Sequence, residues 1–301
     1  METVKKEKHI NVFKSGMESV LTVNDGDVVH FECNDCFLQQ VKTEEDVITK
    51  LDPQTLNPAT GPIFVKGAEK GDILKVDVLD IQLAPSGCVA IVESDGFLKE
   101  ECKKSLVKIV PVEEGRVIFG DLSIPIRPMI GVIGVAPSKE EGEWMTNTPW
   151  KHGGNMDTTE ITKGTSLYFP VSEAGANLAL GDCHAIMGDG EICITGLEIP
   201  ADVYLRVSVI KNKSIIWPLL ETESSTLVIG SGKSLEDATR NSMKEAVNIL
   251  NRSLDIAWEE AYMLGSLVVD AKISQVVNPM VTVRAEIPKS IVSTEKILAT
   301  Y

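Results

Sequence analysis

The stretch Gly181–Glu191 (GDCHAIMGDGE), with its run-on ICITGLE, alternates with a period of two, which restricts it to a strand with one apolar and one polar face. Asp189-Gly190 is a hairpin signal, because a type I′ turn needs positive φ at both central residues. With those two residues as the turn, Gly188 faces Glu191. Asp182, His184 and Ile186 then share a face with Glu191, Cys193 and Thr195, opposite an apolar face of Cys183, Ala185, Met187, Ile192 and Ile194. The apolar face belongs to a core. The other face holds a histidine and several carboxylates, and these point to a site.

Short alternating segments recur along the chain at the spacing of sandwiches and barrels, among them VVHFEC, ILKVDVLDIQL, CVAIVES, SLVKIVPV, SLYFPV and VYLRVSVI. In VVHFEC the pattern puts Val29, Phe31 and Cys33 on one face and His30 and Glu32 on the other. A helical pattern appears only after Gly232. Ser234 starts it as a capping box with Asp237, and Leu235, Ala238, Ala246, Val247 and Leu250 recur at helical spacing. Ser253 reads as the cap of a second helix. The expected fold is mainly β (α+β), with β-sandwich-like packed sheets and an α-helical hairpin inserted near 233–270, all within one domain over 1–301.

A hydrophobic content of 43% with no apolar run of membrane-spanning length indicates a soluble chain. The opening METVKKEKHI lacks the apolar core of a signal peptide, so a cytoplasmic protein is expected. A net charge of −15 argues against nucleic acid and anionic membranes as partners. The six cysteines include one CxxC, Cys33 to Cys36, with no second pair to complete a zinc ribbon, and they read as buried free thiols. No glycine-rich phosphate loop and no GxSxG elbow occurs.

What remains is metal chemistry. Asp182 and His184 leave one strand face about 6 to 7 Å apart, within reach of a single ion. HGGNMD supplies His152 and Asp157 from a loop in which Gly153 and Gly154 let backbone approach a ligand. Two histidines and two aspartates suit zinc, with a position left for water. Asp35 and Glu32 add carboxylates for a second, harder cation such as calcium. In the hairpin register Glu191 lies on the order of 13 Å from His184, at ~3.3 Å per residue. It is therefore a general base or acid, or a second-site ligand.

The motifs HGGNMDTTEITKG and GDCHAIMGDGEICITGLE, with GPIFVKGAEKGD and ISQVVNPMVTVRAEIP, resemble the acetamidase/formamidase family of amidohydrolases over most of the chain. The resemblance implies a metal-dependent enzyme, commonly with zinc, that hydrolyses short aliphatic amides to carboxylate and ammonia, on a β-rich sandwich fold. By position, His152, Asn155 and Asp157 match the first motif, and Asp182, His184, Asp189 and Glu191 the second. Glu32 and Asp35 match an acidic N-terminal motif in which Cys33 replaces the usual threonine. Met187 stands where glutamine is common, which removes a hydrogen-bonding side chain and bears on substrate range.

The expected mechanism has a metal on His184, Asp182, His152 and Asp157, with Glu191 moving the proton and Glu32 as the second candidate. Asn155 and nearby backbone N–H groups, Gly154 among them, would stabilise the oxyanion. Two other readings stand beside it: a non-catalytic sandwich that binds a carbohydrate or small ligand, and a hydrolase of small lactams. The apolar strands and the helical hairpin make a homodimer the expected assembly.

Overall fold

The alternating segments pair as strands, and two sheets face each other across the main core in a computed structural model describing residues 1–301. The nine-stranded sheet runs in the order Glu2–Val4, Val28–Cys33, Ala201–Ile210, Ile73–Leu83, Ser166–Pro170, Leu219–Glu221, Ser225–Gly232, Val281–Pro288, Asp270–Gln275. The second sheet orders Gly153–Asn155, Met129–Gly134, Leu178–His184, Ala59–Val65 and His9–Ile10, with Leu21–Val23 also pairing on Ala59–Val65. A smaller sheet of four strands, Ser86–Ile91, Leu106–Glu113, Arg116–Phe119 and Leu122–Pro125, adjoins the second sheet through Glu198, which bridges both Cys88 and His184. This is a mainly β fold of packed sheets.

Strand parity decides what each residue can do. In Val28–Cys33 the burial alternates, so Val29, Phe31 and Cys33 enter the main core while His30 and Glu32 face outward. Leu178–His184 is buried at every residue. Leu178, Leu180 and Cys183 join the main core, and Ala179 packs with Phe13, Ala59 and Val132 on the other side. Both faces of this central strand are therefore covered by protein, and its polar side chains are buried.

Helices α1 (Leu235–Leu254) and α2 (Trp258–Val268) form the expected pair: α1 packs on the strands Ser225–Gly232 and Val281–Pro288 through Ala246, Leu250, Val228 and Ala285, and α2 packs on α1. Ser234 caps α1 by accepting from Asp237 N at 3.1 Å. Ser253 is not a cap: α1 runs through it, and Asp255 in the left-handed conformation ends the helix. The start of α2 is held by Glu260 Oε2, which accepts from Ala257 N. No helix is long and apolar enough to cross a membrane.

The Asp189-Gly190 hairpin does not form. The strand stops at His184, and the return partner is Leu197 to Ile199, with Ala185 N donating to Leu197 O and His184 bridging Glu198. Tertiary contacts outcompete the local turn. Asp189 accepts from Arg284 at 2.7 Å and Thr159 at 2.9 Å, while Gly190 donates to Ser274 O and accepts from Val276 N. The segment between Ile186 and Leu197 is thus a loop docked on the strand Asp270–Gln275. Parity within VVHFEC generates a test. Phe31→Ala should destabilise by about 3–5 kcal/mol, against ~0.5 kcal/mol or less for Glu32→Ala, read from urea midpoints. Equal losses would contradict the assigned faces.

Candidate functional site

Four carboxylates converge on one imidazole. His184 Nε2 lies 3.1 Å from Glu198 Oε1, 3.6 Å from Asp182 Oδ1 and 3.8 Å from Glu191 Oε1. Asp157 completes the group, with its ligand atom and those of His184 and Glu191 all within 4.8 Å of one another. Cys36, Asp182 and Glu198 form a second such triplet alongside. All these residues are buried. Asp157, Asp182 and Glu191 have positive φ of 42°, 54° and 48°, a conformation that non-glycine residues adopt rarely and at a cost of about 1–3 kcal/mol each. The backbone is bent to aim these side chains inward.

The surrounding strands fit the cluster closely. A Cβ on Gly131 would lie 2.5 Å from Asp157 Oδ1 and 2.8 Å from Asp182 Oδ2, so glycine alone fits there. A Cβ on Gly196 would lie 2.6 Å from His184 Nδ1. Asn278 donates to Asp157 Oδ2 at 2.7 Å, and Asn57 donates to Asp182 Oδ2 at 3.1 Å. Arg284, itself buried, holds the Glu191 loop through Asp189 and is balanced by Glu160 at 2.9 Å. Even so, Asp157 Oδ1, Asp182 Oδ1, Glu198 Oε2 and both His184 nitrogens have no hydrogen-bond partner.

Charge this dense and this dry shifts every group. Burial pushes Glu198 up to about 8 and Asp157 up to about 6, with the Asp182 charge adding to both. Burial, and then the Asp157 charge, raise Glu191 well above the carboxylate range. Asp182 goes the other way: burial alone would raise it, but the adjacent imidazolium outweighs burial and holds it low. Burial would likewise lower His184, and the charges of Glu198 and Asp182 override it and raise the imidazole well above its ordinary value. The thiol of Cys36 is raised by burial and by Glu198 and Asp182. A divalent cation would satisfy the same atoms. The donor set, one imidazole nitrogen and several carboxylate oxygens, suits zinc or a harder ion.

The structure brings together four of the expected site residues: Asp157, Asp182, His184 and Glu191. Glu191 is 3.8 Å from His184 and not ~13 Å away, because the loop folds back where a hairpin would have carried it off. His152 does not join them. Gly153, the residue after it, pairs with Gly134, which in turn pairs with Ala179, five residues before His184, so more than about 16 Å of strand separates the two histidines. Its ring packs 5.1 Å from Phe13 and 6.0 Å from Trp144, and burial depresses it to about 3. Glu32 is on the outer face of its sheet, paired with Lys5, and is not placed to act as the base. Asp35 lies nearby, raised by its burial and by Asp182, but one oxygen accepts from Phe37 N and Gln39 N in its own turn. Gly154 packs on the Thr148 carbonyl and the His152 ring. Asn155 sits across Val132 from Gly181, beside Asp182, and its Oδ1 has no partner.

Glu198, Asn57 and Asn278 carry no site reading in the sequence, and Cys36, read there as a buried free thiol, stands beside Asp182 and Glu198. Glu198 had a legible signal, a lone carboxylate in the apolar run TGLEIP. The others depend on contacts between residues more than 100 positions apart.

The sequence matches the model of the Acetamidase/Formamidase family over residues 2–145 and 142–294. A crystal structure described as a predicted acetamidase/formamidase from Thermoanaerobacter tengcongensis superposes with TM-score 0.94 at 40% identity, covering 98% of each chain. An acetamidase structure from Bacillus halodurans gives TM-score 0.93 at 38% identity, over 96% of this chain and 97% of that one. The formamidase of Methylophilus methylotrophus is 26% identical over 67% of this chain and 64% of its own length. The chain spans about 61–66% of the length of the curated relatives it matches.

The raised carboxyls have a consequence for stability. Between the unfolded values and the folded values of about 6 for Asp157 and about 8 for Glu198, the native state binds more protons than the unfolded state. Stability contributed by these groups is present at low pH and lost as pH rises through 8. Chelator-treated protein should therefore lose several degrees of melting temperature between pH 5 and pH 8 (about 2–4 °C for each kcal/mol). Glu198→Gln should flatten that fall. A melting temperature that climbs across the same range would contradict the arrangement.

Proposed function

Because the chain belongs to the acetamidase/formamidase family, we propose that it is a metal-dependent amidase, hydrolysing a short linear amide to a carboxylate and ammonia. The observation that carries this reading is the set of unpartnered, buried acceptor atoms on Asp157, Asp182 and Glu198 around His184. Leaving such atoms unpaired costs several kcal/mol, which a bound divalent cation would offset. His184, Asp182 and Asp157 would hold the ion, zinc by donor type; calcium suits the oxygen-rich side of the cluster. When bound, such an ion polarises the amide carbonyl, acidifies a water towards neutrality and lowers the neighbouring carboxyl.

The chain's own residues supply the rest. Glu191 lines a cavity that opens beside the cluster, so it is the carboxylate on the substrate's side. It takes the proton of the attacking water and returns it to the departing nitrogen, leaving as ammonia. Asn155, whose carbonyl accepts from the same Asn278 amide that holds Asp157 and whose Oδ1 is unpartnered, is the candidate to orient the amide. Arg284 and Ser274 anchor the loop at Asp189 and Gly190, the two residues before Glu191. A non-catalytic sandwich would have no use for a strained, buried Glu191 at the cavity wall. A homodimer in the cytoplasm completes the proposal.

Ammonia release from formamide and acetamide, before and after chelation, tests the reading. Chelated protein should be inactive and recover with added zinc. Glu191→Gln should lower kcat by about 10²–10⁴-fold with its metal content unchanged. Full turnover by metal-free protein would refute it.

A further inference from the structure

A cavity of about 410 Å³ lies between the four-stranded sheet and the loop that carries Glu191. Val110, Val117 and Ile124 form one wall, and Ile186, Ile192 and Leu197 the other. Glu191 and Gly196 are also in its lining, and these two residues flank His184: Glu191 at 3.8 Å from Nε2, Gly196 against Nδ1. The cavity thus abuts the cluster, with Glu191 as the cluster carboxylate in its wall.

Its polar atoms are already engaged. Thr195 Oγ1 donates to Ala90 O and accepts from Ala90 N. The Asp189 carboxylate accepts from Arg284 and Thr159. Of the lining carboxylates, Glu191 is the one without an Arg, Lys or hydroxyl partner. The wall is also held in place, with Arg127 Nη2 donating to Met187 O at 2.8 Å. A ligand here meets the Glu191 carboxyl and a mostly hydrocarbon wall, in which Asp189, Cys193 and Thr195 are the engaged polar residues.

Formamide and acetamide, with three and four heavy atoms, would leave most of this space unfilled. At ~30 Å³ per water the cavity has room for on the order of a dozen water-sized groups. We propose that it is the acyl subsite of the amidase, taking an apolar acyl chain of roughly four to seven carbons with the amide carbon at Glu191. This rests on the amidase reading above and sharpens its substrate class: primary amides of medium-chain fatty acids, with charged and strongly polar acyl groups excluded. Each methylene buried against these walls should raise kcat/KM about fourfold until the cavity is full.

The test measures kcat/KM for formamide, acetamide, butyramide and hexanamide on the metal-loaded enzyme. In parallel, calorimetry follows acetamide and hexanamide binding to Glu191→Gln, in which turnover is slow. The expected result is a rise of about two hundredfold from acetamide to hexanamide, four methylenes at about fourfold each, in both series. Two substitutions add bulk at the cavity's exposed rim: Ile192→Trp, and Gly188→Phe, where a Cβ meets nothing within 4 Å. Each should collapse the hexanamide-to-acetamide ratio towards one, and the agreement of two unrelated positions separates filling from misfolding. Turnover of formamide and acetamide with no gain from chain length in either series would overturn the subsite and leave the amidase reading intact. No turnover of any amide, with hexanamide still bound and displaced by the filling substitutions, would overturn the amidase reading and leave the apolar subsite standing.

Discussion

Burying four carboxylates around a single imidazole is the constraint on which the rest of this structure depends. Two unit charges 4 Å apart interact by about 4 kcal/mol even at an effective dielectric constant of 20, so Asp157, Asp182, Glu191 and Glu198 cannot all be ionised around His184 unaided. Protons or a cation must balance them. The raised values of Asp157 and Glu198 show the first route, and the unpartnered oxygens show the room for the second. Left-handed backbone at Asp157, Asp182 and Glu191 adds a conformational cost to the electrostatic one.

Such a centre persists only where the surroundings over-determine it. Leu178–His184 is a central strand with core on both sides, so Asp182 and His184 cannot swing towards solvent. Distant parts of the chain hold the cluster as well. Asn278, beyond the strand Asp270–Gln275, holds Asp157; Asn57 holds Asp182; Arg284, on Val281–Pro288, holds the loop of Glu191. Helices α1 and α2 back these last strands with a second core. The helical layer therefore supports the site although it contributes no residue to it.

Much of the fold was legible because period-two alternation and a capping box are local signals. VVHFEC behaves as its pattern dictates, and α1 starts at its Ser234 cap. Asp182 and His184 were legible as a pair for the same reason, two residues apart on one strand face. Asp189-Gly190 misled because its turn preference, a local effect, lost to Arg284, Thr159 and Ser274, partners the chain places elsewhere. That one difference moved Glu191 into the cluster and made Glu198 the strand partner of His184. His152 has the type and motif of a ligand, yet Phe13 and Trp144 surround it, and an aromatic nest is not visible in a linear motif.

The account turns on whether a cation balances the buried carboxylates. Anomalous diffraction at the zinc edge, on crystals of protein that releases ammonia from a short amide, addresses this directly. The predicted result is a peak bounded by His184 Nε2 and the carboxylates of Asp157 and Asp182. Fully active protein with no anomalous scatterer among those side chains would contradict the account.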